Sequence, residues 1–580
     1  MSDKALAAHP FVGSVDAARS KWELRIKRFV GDRATVVGIL LLCIALVVGL
    51  ATAHDYGATI DEFNANGYGP KALAWYLSGF TNRSLFETVE PPLWYYGPWF
   101  QMLTAAVQSL GLADALTVRH AMTFLIGLAG LAALLPMARL SFGGWVGPIA
   151  LAICLLTGYV YGNLFFAPID VPFLAAMCLA TLAIMVMGRQ TVPSWWATVC
   201  VGAATGLAIA TRTGGIITHA YLIGVLGLCA LEALALTGSA ARKALLAIAA
   251  RGVVAMVLAW IVAIALWPWL QIGNPLAQFA TAYAFFAKIP TRFEFVHWGQ
   301  TVVTTALPWS YIPAQWLARF PIGFLVALVA AVGFAVADAI RTLRVAVSRW
   351  QRSGIPGLDE PLLLMARSRS ILLIWVAAVV PILFLMVEHA TLYDGVRHTL
   401  FVIPMLALLA GWAIARLGRS LRLARNPAAL LVIAYAAALV ANLVHLHPLE
   451  YIAMNPLAGG VGGAYERFDL DYWSASATEA LRRLETRIDQ TSATERPAPS
   501  ILICIPYREH MVEPMLGGKW RLELDRDKAD FVVETERARC AADDTDLVLV
   551  DEVTRAGRAF AWTFVNRQSR FFRAISSEAN

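Results

Sequence analysis

The sequence predicts an α-helical polytopic membrane protein ending in a small α/β domain in water. Three observations carry this. Of 580 residues, 58% are hydrophobic and 15% charged, against about 45–50% and about 25% in soluble domains. Apolar runs of spanning length recur from residue 34 to residue 446, and after that the composition turns soluble. The mean hydropathy is +0.61, more apolar surface than soluble cores can hide, so the bilayer is the expected solvent. Disorder, coiled coil, collagen and a compact cytosolic enzyme are excluded. The net charge of +7 does not point to nucleic acid, because the cations sit between apolar spans, where they report topology.

Residues 1–33 form a basic, polar stretch (Lys4, Arg19, Lys21, Arg25, Lys27, Arg28, Arg33) without a cleavable signal pattern, so the first span reads as a retained anchor. Eleven spans are expected: 34–53, 119–138, 145–162, 170–187, 195–211, 215–236, 250–270, 320–340, 371–388, 398–415 and 427–446. A twelfth run, 91–110, is interrupted by Pro91, Pro92, Gly97 and Pro98 and carries Gln101 and Gln108. Without it as a crossing, the cytoplasmic segments hold 22 Lys and Arg and the outer segments before the tail hold eight. A crossing would put the basic 341–369 and 416–425 loops outside, against the positive-inside rule. The run is therefore expected to lie in the outer interface.

The predicted organisation is a cytoplasmic N-terminus (1–33), a membrane module (34–446) with outer loops 54–118 and 271–319, and a periplasmic domain (447–580). The tail reads as a helix at 475–488, strands at 501–505, 531–534, 547–550 and 560–565, and a loop around Pro497 and Pro499. Five of seven cysteines lie in apolar spans and read as small core residues. Cys504 and Cys540, alone in the tail and on the outer side, are candidates for a disulfide; a buried Cys504 thiol is the alternative.

A few polar residues need an explanation. Asp61 and Glu62 sit just past the first span. One of two neighbouring carboxylates can be raised in pKa and serve as a general base; the plainer reading is Thr59 capping a helix whose first turn holds both acids. Asp170, between Pro168 and Pro172 at the mouth of a span, is either a paired functional charge or a helix cap. Arg212 in a tight turn, and Arg397 and His398 after Glu388 and Asp394, offer cations for phosphate oxygens or plain salt bridges. Lys288, Arg292, Glu294 and His297 lie in an aromatic-rich loop that equally fits an interfacial flap. In the expected topology, Asp61, Glu62, Asp170, Arg212, Arg292 and Arg397 all face the outer leaflet, which suits chemistry on a lipid phosphate.

An Asp-Glu pair just after the first membrane helix, followed by a long loop with an interfacial helix, resembles the GT-C integral-membrane glycosyltransferases. The likeness is to the branch with the protein O-mannosyltransferases and the lipid A aminoarabinose transferase. Thr59–Glu62, Pro168–Phe173, Tyr393–His398 and Asn455–Gly460 also look like a bacterial subgroup of glycosyltransferase 39-like proteins. The resemblance covers about residues 1–475; the tail does not look like a β-trefoil or a known carbohydrate-binding module. It implies a polyprenyl-phosphate-linked sugar as donor, transfer on the outer face and inversion at the anomeric carbon, with a lipid, glycan or protein acceptor. By this resemblance Asp61 and Asp170 are the catalytic acids. Glu62 stands beside them as a candidate, and Arg212, Lys288, Arg292, Arg397 and His398 as binding residues. The departing phosphate needs Arg, Lys or a divalent cation; Asp61, Glu62 and Asp170 are the sole cation ligands in view. Two rival readings are a transporter or flippase of a lipid-linked glycan, which predicts mid-span charges and inverted repeats that the sequence lacks, and a non-catalytic assembly scaffold.

Overall fold

The computed structural model describes residues 32–87, 93–234, 236, 238–289, 292–353, 366–422, 427–490, 498–505, 516, 518–541 and 545–576. Nearly all of the basic N-terminal stretch and part of the Pro497 linker lie outside these. Among the described residues nine helices are long and apolar enough to cross a membrane. A tenth crossing is available to the pair Val146–Leu156 and Gly158–Phe166, bent by 73°. The shorter helix Trp195–Ile209 occupies the remaining expected span. Its Gly202 and Gly206 press directly on the helix Gly238–Leu266, the close approach that small residues permit between membrane helices.

The outer faces are apolar. Leu430, Leu431 and Val444 of the last membrane helix, Ala428–Leu446, are 67%, 73% and 72% exposed, which is stable only against lipid tails. The 91–110 run becomes a helix of ten residues, Trp99–Gln108. At about 1.5 Å per residue it is about 15 Å long, half of a hydrocarbon core of about 30 Å. Length alone stops this helix from crossing.

Two further helices lie in the segments between spans, 54–118 and 271–319. Ile60–Leu77 starts at a capping box: Thr59 Oγ1 accepts from Glu62 N, and Glu62 Oε2 accepts from Thr59 N at 3.0 Å. Tyr311–Arg319 follows a hairpin, β1 Glu294–His297 and β2 Gln300–Val303, antiparallel. The sequence reading has this aromatic segment as a flap without strands.

In the tail, residues Leu449 to Ala475 contribute to the core of the membrane module. A separate core begins at Ala477. It is built from the helix Ser476–Gln490 and a five-stranded sheet of β3 Ser500–Cys504, β4 Arg521–Leu522, β5 Phe531–Thr535, β6 Leu547–Arg555 and β7 Arg558–Asn566. The order is β4-β3-β5-β7-β6. β3 runs parallel to β4 and β5, while β7 runs antiparallel to β5 and β6. Cys504 and Cys540 are joined as a disulfide with Cα atoms 6.1 Å apart, inside the range of about 4.4–6.8 Å that a bridge needs.

Candidate functional site

The capping box that starts Ile60–Leu77 decides the fate of the Asp-Glu pair. It turns Glu62 inward, where its other oxygen meets His120 Nε2 at 2.8 Å and the side chain is fully buried. Asp61, one position earlier, points the opposite way. With Asn64, Ala65 and Tyr68, at i+3, i+4 and i+7, it forms a stripe on one helix face, and all four line a cavity of about 120 Å³. This corrects the expectation for Glu62. It is a helix cap in contact with His120 behind the wall, because a helix directs adjacent residues about 100° apart.

The opposite wall is Pro168, Ile169 and Pro172 beside Asp170, with Thr211 and Arg212 from the turn before the next helix. Tyr96 and Gly97, just before the helix Trp99–Gln108, and Tyr393 and Arg397 close the ring. Gln101 ties that helix down, donating from Nε2 to Pro168 O at 2.7 Å. The turn carrying Tyr393 and Arg397 is a left-handed reversal, with φ of 56° at Asp394 and 66° at Gly395. Glycine suits the second position and aspartate tolerates the first. Two buried tyrosines hold the turn. Tyr311 Oη donates to Gly395 O at 2.7 Å and Tyr159 Oη accepts from Val396 N at 3.0 Å.

Arg397 is the centre of the charges. One guanidinium nitrogen, Nη1, donates to Asp61 Oδ2 at 2.7 Å and to Asp170 Oδ2 at 3.1 Å, and Nη2 reaches Asp394 Oδ2 at 3.2 Å. Asp170 also binds Arg212 through Oδ1. Arg212 lies over the Tyr96 ring, 5.5 Å from its centroid, and Arg397 over Tyr393 at 5.1 Å. The alternatives for these residues therefore resolve: Asp170 is an ion-pair partner of two arginines, and Arg397 keeps its local partner Asp394 while reaching two distant acids.

Burial raises the pKa of Asp61 from its ordinary value; Arg397 opposes the rise, and Asp394 and Asp170 add to it. With 18% of its side chain exposed, Asp61 is the carboxylate best placed to exchange a proton with a bound molecule. The volume is well below the roughly 300–1,000 Å³ of a pocket for a drug-sized ligand. It is a small recess, closed around two arginines whose partners are the acids.

Lys288, Arg292 and His398 do not line the cavity. Lys288 follows the helix Pro275–Ala287 and is exposed, as is Arg292, just before the hairpin. His398 points away from Arg397, edge-on to Tyr393 at 4.8 Å between centroids. As for a cation, no group of three or more His, Cys, Asp or Glu among the described residues is arranged to hold a metal ion. The Arg397 guanidinium stands between Asp61 and Asp170. The residues that the sequence reading left out are Asn64, Tyr68, Tyr96 and Gln101. Asn64 and Tyr68 were findable from Asp61 by helical spacing; Tyr96 and Gln101 arrive by tertiary folding.

No family model matches the chain, and no curated protein matches it. Among solved structures, ArnT from Cupriavidus metallidurans is similar in two states. Bound to undecaprenyl phosphate it is 16% identical, with 91% of this chain and 97% of that chain covered and a TM-score of 0.42. In the apo state the identity is 17%, the coverage 92% and 98%, and the TM-score 0.47. The archaeal oligosaccharyltransferase AglB from Archaeoglobus fulgidus, in complex with an inhibitory peptide and a dolichol-phosphate, is 12% identical over 87% of this chain and 70% of that chain, with a TM-score of 0.41. At these scores no residue is carried across.

Proposed function

We propose that this chain is an inverting glycosyltransferase of the GT-C type. It moves a sugar from a polyprenyl-phosphate donor to a glycolipid, glycan or protein acceptor at the periplasmic face of the inner membrane. The observation that carries this reading is the joining of Asp61, Arg212 and Arg397 around one headgroup-sized recess. The Asp-Glu resemblance and the charge asymmetry between loops support it.

The chemistry follows from the parts. Arg397 and Arg212 bind the donor phosphate, exchanging carboxylate oxygens for phosphate oxygens at similar geometry. Asp61, released from Arg397 in that exchange, faces the acceptor hydroxyl. The hydroxyl oxygen attacks the anomeric carbon, the carbon–oxygen bond to phosphate breaks, and the phosphate leaves with the electron pair. Asp61 takes the hydroxyl proton, and the arginines carry the charge that develops on the leaving oxygen. Attack from the face opposite the leaving group inverts the anomeric centre. Asp170 keeps both arginines in register.

The reading is tested by mass spectrometry of envelope lipids, glycans and proteins from a strain lacking the gene. A sugar-modified species should vanish and return with the wild-type gene. An unchanged envelope profile under conditions where the protein is made would count against it.

A further inference from the structure

The tail domain grips the site from two sides. On one side, the helix Ser476–Gln490 clasps the segment that leads into Asp61. Arg482 donates to the carbonyls of Asp55 at 2.7 Å, His54 at 2.9 Å and Tyr56 at 3.3 Å. Thr478 Oγ1 accepts from Ala58 N at 3.0 Å. Gly57 packs so closely that a Cβ there would stand 2.5 Å from Ala475 O.

On the other side, the turn after β5 reaches the arginine that organises the charges. Asp394 has two oxygens and two guanidinium partners: Oδ2 pairs with Arg397 Nη2 at 3.2 Å, and Oδ1 accepts from Arg537 Nη1 at 3.1 Å. Arg537 also donates to Tyr472 O and lies over the Phe293 ring at 5.4 Å. The neighbour of Tyr472, Trp473, sits against Arg397 at 5.6 Å.

The turn that presents Arg537 is stiff. Thr535 and Ala538 exchange backbone hydrogen bonds, and Glu536 N donates to Phe560 O at 2.9 Å. Glu534 accepts from Cys540 N at 3.0 Å and Ala541 N at 2.9 Å, and Cys540 is bridged to Cys504. A cation delivered by such an element holds a position, where an exposed arginine on a loose loop would only screen charge.

We propose that Arg537 is a positioning residue for the headgroup recess: through Asp394 it sets where Arg397 places its fork, so that the tail domain completes the site. This rests on the reading of Arg397 as a donor-phosphate ligand. With Arg537 present, Asp394 is shared, and Arg397 keeps Nη1 between Asp61 and Asp170. Without it, Asp394 has Arg397 as its one remaining partner among these contacts and draws the guanidinium toward itself, away from the recess. The alternative is that Arg537 only docks the tail; it would then act equally whatever stands at position 397.

A double-mutant cycle on the full-length protein in lipid nanodiscs separates the two. The probe is undecaprenyl phosphate, titrated against wild type, R537M, R397K and the double variant. Positioning predicts that R537M weakens binding about tenfold in the wild-type background and less than about twofold in the R397K background, where the fork to be positioned is gone. An equal loss in both backgrounds, or no loss in the first, overturns it. If R397K binds the probe as wild type does, the donor-phosphate reading itself fails, whatever R537M does. Should R537M not purify as a single species, R537K takes its place. It keeps the charge but not the fork, and a loss of about threefold is expected in the wild-type background alone; the same overturning outcomes apply.

Discussion

Asp61→Asn separates catalysis from binding more sharply than any other single change. The substitution removes one negative charge and the proton-accepting oxygen while keeping the shape. Arg397 is not orphaned, because Asp170 at 3.1 Å and Asp394 at 3.2 Å still pair with it, and the amide oxygen of asparagine can accept from Nη1. The fold should therefore stay intact. Donor affinity should hold or improve, since one carboxylate fewer competes with the phosphate for Arg397. Turnover should fall by the contribution of a positioned general base, about 10²–10⁴-fold, or about 3–5 kcal/mol in the barrier. Undecaprenyl phosphate binding in nanodiscs reads the first quantity. Recovery of the missing glycoform in a deletion strain complemented with D61N reads the second. Wild-type product from D61N would refute the base assignment. A matching loss of donor binding would place Asp61 in ground-state recognition instead. Because the folded-state pKa of Asp61 is raised, its basic form appears only above the usual carboxylate range, so the acid limb of the wild-type rate profile should lie higher than that of an exposed aspartate.

Glu62→Gln keeps a capping side chain but alters the buried contact with His120 at 2.8 Å; stability should drop by about 1–3 kcal/mol, as when a buried polar group loses its partner, with turnover changed less than about tenfold. Replacing Cys504 and Cys540 by serine opens a loop of 36 residues, worth about 3–4 kcal/mol in the chain-entropy account; the tail should become protease-sensitive, and two alkylatable thiols in untreated wild-type protein would contradict the bridge. Glu536 is raised to about 8, by burial first and then by Asp471 and Asp469. The folded state thus holds this proton up to about pH 8, and the stability it contributes is lost as pH rises from the ordinary glutamate range through that value. Melting curves in detergent should show Glu536→Gln stabilised over wild type at pH 9 and indistinguishable from it at pH 5.

The parts of the molecule legible in sequence were those set by local pattern. Nine of the eleven expected spans have a helix of spanning length, 145–162 is a pair bent by 73° and 195–211 a helix of 15 residues, since apolar residues in lipid leave the backbone no other way to satisfy its hydrogen bonds. The four tail strands and their helix read out from period and flanking turns, while β4, two residues long, and the β1–β2 hairpin carried too little pattern to be seen. In the candidate site, Asp61 and Asp170 were visible because a charge beside an apolar run is rare. What stayed hidden was direction. Asp61 and Glu62 are both carboxylates, and only the capping box turns Glu62 behind the wall, away from the cavity. Arg292 and Arg397 share residue type and side of the chain, and nothing short of tertiary folding distinguishes the exposed one from the buried one. Asp394 looked like a local partner for Arg397, and it is one; that it also receives Arg537 from 143 residues away is long-range information.

The matched charges around Arg397 have a consequence for energetics at the membrane. Asp61, Asp170 and Asp394 pair with Arg212, Arg397 and Arg537, three acids with three arginines in one network. An arriving lipid phosphate adds negative charge there, and the group placed to offset part of it is Asp61, when it takes the acceptor proton during transfer. Donor capture that leaves Asp61 ionised for its role as base should thus take up no proton, which calorimetry in buffers of differing ionisation enthalpy can check. In the proposed reaction the acceptor proton that reaches Asp61 can leave with the spent lipid phosphate. The cycle then closes without net movement of charge along the membrane normal, and its equilibrium should be indifferent to the transmembrane voltage.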